Sequence, residues 1–109
     1  MKEKKTTTSM SKHKIGDRVG AIECADNDSV TMFGYGTYAG EAVPAEAAGW
    51  IAEGLREMGI PNPKIQLDSG KVVYGCECWW GSEESVRASI GGRRVIEVDI
   101  DEVRRGVKC

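Results

Sequence analysis

Lys64-Ile65-Gln66-Leu67-Asp68-Ser69-Gly70-Lys71-Val72-Val73-Tyr74 is the stretch on which the fold class turns. Two short runs rich in β-branched and apolar residues flank a turn-forming Asp-Ser-Gly, the pattern of a β-hairpin. Immediately before it, Gly59, Pro61 and Pro63 mark the end of a different kind of element. Ala47, Ile51, Leu55 and Met58 recur at helical spacing with Trp50 beside them, which predicts a helix from Ala45 to Met58 with Pro44 in its first turn. Gly59 suits the left-handed cap, and Ile60 can fold back on Leu55.

A second hairpin precedes the helix. Arg18-Val19-Gly20-Ala21-Ile22-Glu23-Cys24 reads as a strand, residues 25–29 collect turn-forming side chains, and Val30 to Ala39 forms the returning arm. Beyond Tyr74 the arm is expected to continue as Gly75-Cys76-Glu77-Cys78-Trp79-Trp80-Gly81. Alternation along such a strand puts Tyr74, Cys76, Cys78 and Trp80 on one face and Gly75, Glu77 and Trp79 on the other. Ser82, followed by Glu83 and Glu84, has the chemistry of a helix start, with Val86 and Ile90 as its apolar stripe. After Gly91-Gly92, residues 94–98 read as a strand, and Asp99 with Glu102 has reciprocal-cap spacing for a short helix reaching Arg105. The order is ββαββαβα: an α+β fold with a mainly antiparallel sheet of about five strands and two or three helices gathered on one face.

Composition suits one domain. Of 109 residues, 40% are hydrophobic and 29% charged, ordinary for a globular chain. Residues 1–14 hold five lysines against one glutamate, leaving ten basic and sixteen acidic residues on 15–109. The organisation expected is therefore a disordered basic tail over 1–12 and a single α+β domain over 13–109. An acidic domain repels polyanions, which disfavours nucleic acid as a partner. No run approaches the roughly 18 apolar residues of a membrane span, and no apolar segment follows the N-terminal lysines, so a cytoplasmic protein with reduced thiols is expected. A core this small makes a homo-oligomer a natural supplement.

Catalytic chemistry is thinly represented. The single histidine, His13, lies in the basic tail, which excludes an ordered Ser-His-Asp or Cys-His dyad unless the tail folds over the domain. Cys76 and Cys78 form one CxC, with Cys24 and Cys109 elsewhere, and lack the second ligand pair of a structural zinc site, so neither metal nor cofactor is expected. Gly34-Tyr35-Gly36-Thr37-Tyr38-Ala39-Gly40 is not a phosphate-binding loop, because no helix opens directly after it. Its glycines nonetheless leave one face bare, for a bulge or for close approach of a ligand or partner chain. The Trp79-Trp80 pair is open to two readings as well: core side chains of a central strand, or rings lining a cleft at the strand's end.

The expectation that follows is a small non-enzymatic binding protein holding a nucleotide-like small molecule, such as a signalling nucleotide, in an aromatic and glycine-lined cleft. Tyr35, Tyr38, Trp79 and Trp80 would stack, Gly36 and Thr37 would offer an amide and a hydroxyl, and Arg93 and Arg94 would supply charge. The alternatives are an interaction module that uses the same aromatics as a homo- or hetero-oligomeric interface, and, further off, a small enzyme with Cys76 or Cys78 as nucleophile. The cadences Gly-Tyr-Gly-x-Tyr and Cys-x-Cys-Trp-Trp-Gly loosely resemble those of small phage or bacterial accessory proteins; that resemblance implies no role for any residue.

Overall fold

The computed structural model describes residues 13–47 and 49–106; the expectation of a disordered tail over 1–12 lies outside the described residues. Six strands and three helices follow in the order β1 (Arg18–Ala25), β2 (Ser29–Ala42), α1 (Trp50–Met58), β3 (Asn62–Leu67), β4 (Val72–Tyr74), β5 (Trp79–Ser82), α2 (Glu83–Ile90), β6 (Arg94–Glu97) and α3 (Ile100–Arg104), with a 3-10 turn over Gly75–Glu77. The α+β class and the mainly antiparallel sheet are as the sequence implied. Strands run β4-β3-β2-β1-β5 across the sheet, and β6 joins β2 in parallel.

The fourteen-residue β2 organises everything else. It pairs with β1 along one side, while its other side takes β6 over Ser29–Met32 and β3 over Gly36–Ala42. Two register shifts punctuate the β1–β2 ladder. Ala21 pairs with Gly34 and Ile22 with Met32, so Phe33 is an extra residue on β2; Ile22 pairs with Met32 and Cys24 with Thr31, so Glu23 is an extra residue on β1. Both are β-bulges, which bend a strand and re-aim its side chains. Gly34, at φ +124°, sits in the left-handed region beside the first of them.

The sheet separates two apolar clusters. Val19, Ala21, Phe33, Tyr38, Ile65, Leu67, Val73 and Ile100 form one, with Trp80 and Val103 against it. Ile22, Val30, Met32, Val86 and Ile90 form the other, with Tyr35 against it. Because α2 supplies Val86 and Ile90 to one cluster and α3 supplies Ile100 to the other, the helices are not gathered on one face. Helix α1 lies apart again, packing Ala52 with Ala47 and Tyr74.

Three local departures have identifiable causes. Helix α1 begins at Trp50 rather than Ala45: Gly49, at φ +101°, lies outside the helical region and forms its N-cap, and Arg56 Nη1 bonds the carbonyls of Pro44 (2.8 Å) and Ala47 (2.6 Å) ahead of it. Its far end is capped as expected: Gly59 is left-handed, and the Ile60 amide donates to Leu55 O. The arm from Lys71 to Gly81 is not continuous. Asn62 Oδ1 accepts from the Cys76 amide at 2.6 Å and Glu77 is gripped by Arg104, so the chain leaves the ladder at Gly75 and re-enters it as β5 against β1. That adds one strand to the expected order. Finally, the His13 ring packs against Trp80 (5.0 Å between centroids) and Tyr38 (6.2 Å), and the Gly16 amide donates to Tyr38 O. The histidine is thus docked on the sheet, not in a free leader.

Candidate functional site

Adjacent residues on a strand face opposite ways, and the aromatic residues divide accordingly. Trp80 turns toward the cluster containing Tyr38, where the two rings stack at 5.6 Å and 7°. The Tyr38 hydroxyl donates to Glu41 Oε2 at 2.5 Å. Tyr35 faces the other side, where the Arg87 guanidinium lies 4.5 Å over its ring and a Cβ on Gly20 would come within 3.0 Å of it. Tyr38, Trp80 and Tyr35 are therefore all engaged inside the fold.

The glycine cadence has a similar explanation. A Cβ built on Gly36 would sit 2.2 Å from Gln66 O and 2.7 Å from Leu67 Cα, both backbone atoms of β3. Gly36 admits the neighbouring strand of its own sheet. Thr37 is half-buried between Arg18 and Gln66 in the ladder, and Arg94 is exposed on β6 with its amide donating to Asp28 O.

Of the eight residues singled out by sequence, Trp79 and Arg93 line one cavity together. Trp79 is 55% exposed. Its ladder with β1 ends at the Trp79–Ile22 pair, so β1 runs on beyond β5. At that step lies a cavity of about 260 Å³ lined by Ile22, Glu23, Cys24, Ala25, Trp79, Ser89 and Arg93. The Arg93 guanidinium is held by three carbonyls: Nε to Ile90 O (3.2 Å), Nη1 to Asp26 O (2.8 Å) and Nη2 to Ser89 O (2.6 Å). Carbonyls fix the group, the Asp26 carboxylate lies near enough to attract it, and each terminal nitrogen keeps one further donor.

Glu23 is the site residue that sequence reasoning missed. It is the bulged residue of β1, and its Oε1 is buried with no hydrogen-bond partner. A buried acceptor left unpaired costs about 1–3 kcal/mol, more when charged, so such groups need an explanation. A lone acid inside the apolar run from Val19 to Cys24 was the available signal.

Two other concavities have their basic groups paired within the chain. A cavity of about 270 Å³ beside α1 is lined by Trp50, Cys76, Glu77 and Arg104. There Arg104 binds Glu77 through Nε and Nη2, both at 2.8 Å, and Glu77 also accepts from the Tyr74 amide. At the wide depression near the start of α2, Arg18 is committed to Asp68 and Glu83, and Arg87 to Glu83.

The cysteines divide. Cys76 and Cys78 are free thiols. Cys24 is disulfide-bonded, against the expectation of four reduced thiols. Burial pushes the Cys78 thiol up to about 12 and raises Cys76 as well, with the Glu77 carboxylate adding to both. That is the opposite of the depression a cysteine nucleophile needs. Among the described residues no group of three or more His, Cys, Asp or Glu side chains is placed to hold a metal ion, and no helix is long and apolar enough to cross a membrane. No family model matches the chain, and neither a curated protein nor a solved structure matches it significantly.

Proposed function

We propose that the chain is a small binding protein that sequesters a planar, anionic, nucleotide-like small molecule at the step between β1 and β5, without chemical turnover. The supporting observation is the cavity that Trp79, with its exposed indole, and Arg93, with a free donor on each terminal nitrogen, line together. A rigid ring offers stacking area at low entropic cost, and the arginine suits a phosphate. Its volume lies just below the roughly 300–1,000 Å³ usual for drug-sized ligands, so one ring system fits inside and the remainder rests over Arg93.

A thermal melt against a nucleotide panel tests this reading. A ligand present at about 100 times its Kd adds about 2.7 kcal/mol, which should raise the midpoint by roughly 10 °C or more in a domain of this size. Trp79→Ala should remove the rise. A panel with no effect on the wild-type midpoint overturns the reading.

A second reading, self-association, has its own observation. Helix α1 leaves Trp50 81% and Met58 72% exposed, with Ile51 half out of the fold. Large apolar side chains grouped in this way mark an interaction surface. Sedimentation of wild type against Trp50→Ala/Met58→Ala decides it: a dimer that becomes a monomer supports this reading, and a monomeric wild type removes it.

A further inference from the structure

We infer that the exposed face of α1 is a docking surface for a basic, amphipathic helical segment of a partner protein, a role separate from ligand binding at the step between β1 and β5. Helical spacing sorts that face into two neighbouring ridges. Ile51, Gly54 and Met58, at i, i+3 and i+7, form one, and Trp50, Glu53 and Glu57 form the other at the same spacing. The buried Ala52, packed with Ala47 and Tyr74, marks the side of the helix that faces the fold.

The first ridge is apolar with a dip in it. Ile51 and Met58 are exposed, and nothing outside the helix backbone comes within 4 Å of the position a Cβ on Gly54 would take, so a large side chain of a partner can seat between them. Trp50 and Ile51 also wall the cavity of about 270 Å³ beside α1, where Arg104 and Glu77 are closed on each other. The open groups on this side of the helix therefore suit an apolar anchor.

The second ridge sets the partner's charge. Glu53 and Glu57 stand one turn apart beside Trp50, both exposed, and neither carboxylate is hydrogen-bonded or ion-paired among the described residues. Arg56, the one basic residue of α1, is committed instead to the carbonyls of Pro44 and Ala47. Two copies of the chain joined through this face would set carboxylates against carboxylates, which opposes self-pairing. The chain's own first residues carry lysines but no apolar side chain between Met1 and Met10, so they match only the acidic ridge. Lysines or arginines one helical turn apart, flanked by large apolar side chains, match both ridges at once. The acidity of residues 15–109, ten basic residues against sixteen acidic, draws such a segment in.

The test uses two fluorescein-labelled probes, an amphipathic Leu/Lys peptide of about five helical turns and its Leu/Glu counterpart, titrated by anisotropy with the full chain. Wild type should bind the Leu/Lys peptide about tenfold or more tightly than the Leu/Glu peptide, and the margin should shrink as salt rises. Glu53→Lys/Glu57→Lys should reverse the preference. Asp28→Lys/Glu84→Lys, which alters net charge by the same amount at exposed positions off α1, should leave it in place. Trp50→Ala should lose the tight binding. Should the α1 charge variant fail to fold, wild type, Trp50→Ala and the Asp28/Glu84 variant carry the test. Equal or absent binding of the two peptides by wild type overturns the inference, as does an equal loss of preference in both charge variants, which would trace it to bulk charge. A wild-type dimer that Trp50→Ala turns into a monomer gives the surface to a second copy and overturns it as well. Each of these outcomes leaves the nucleotide reading standing.

Discussion

Replacing Gly36 by Ala should unfasten β3 from β2. The added Cβ would stand 2.2 Å from Gln66 O, 2.7 Å from Leu67 Cα and 2.8 Å from Gln66 C. All three are backbone, so no rotamer change relieves the overlap, and β3 must retreat by about 1 Å to restore ordinary contact. The Asp68 amide, which donates to Tyr35 O at 2.9 Å, is then carried toward the limit of hydrogen bonding. Overpacking costs about 1–3 kcal/mol, and one or two weakened bonds add about 1 kcal/mol each. A loss near 3 kcal/mol is a large part of the 5–15 kcal/mol that holds a typical domain. In a thermal melt it should appear as a fall of roughly 12 °C or more. Gly54→Ala is the control: Gly54 lies within α1, nothing approaches its Cβ position within 4 Å, and its φ is not positive. That change should stabilise by up to about 1 kcal/mol. An unchanged midpoint for Gly36→Ala, together with lost ligand binding, would refute the packing argument and return this glycine to the site.

Trp80→Ala should cost about 3 kcal/mol, because the stack on Tyr38 empties; Trp79→Ala should cost about 1 kcal/mol, and paired denaturant melts that give equal losses would contradict the division of the two rings. In the native protein Cys78 should resist iodoacetamide at pH 8, since burial holds its thiol up to about 12; mass spectrometry showing alkylation as fast as in denaturant would count against this. Asp26 is held low by the amides of Asp28 and Ser29, Asp68 by Arg18, Glu83 by Arg87 and Arg18, and Asp101 by Lys71. Their contribution is present above the unfolded carboxylate range and is lost as pH falls through the lower folded values. The melting midpoint should therefore decline on acidification below that range, more gently in high salt, where these exposed pairs are already screened.

Signals local in the chain were legible. Gly59 with Ile60, Ser82 as acceptor of the Ser85 amide, and Asp99 as acceptor of the Asp101 amide each work through residues at most five positions apart. The opposed faces of Trp79 and Trp80 followed from alternation alone. Pairings between distant segments were hidden. Nothing in Arg94–Glu97 says that its partner is Ser29–Met32, or that the two run parallel. The 3-10 turn depends on Asn62 and Arg104 reaching Cys76 and Glu77 from elsewhere in the chain. Glu23 was hidden for the same reason. A bulge belongs to two strands at once, and a strand read alone shows only an acid among apolar neighbours.

The parallel seat of β6 on β2 bears on how the chain emerges during synthesis. The first hairpin can close once about forty residues exist, yet the outer edge of Ser29–Met32 stays uncovered until Arg94–Glu97 has been made. Between the synthesis of β2 and that of β6 the nascent chain carries a bare strand edge next to Val30 and Met32, both destined for full burial. Open edges of this kind recruit other strands, and contacts so far apart in sequence close slowly. Chains cut short before residue 94 should thus be the aggregation-prone species, held soluble by the ribosome or a chaperone until the last strand docks.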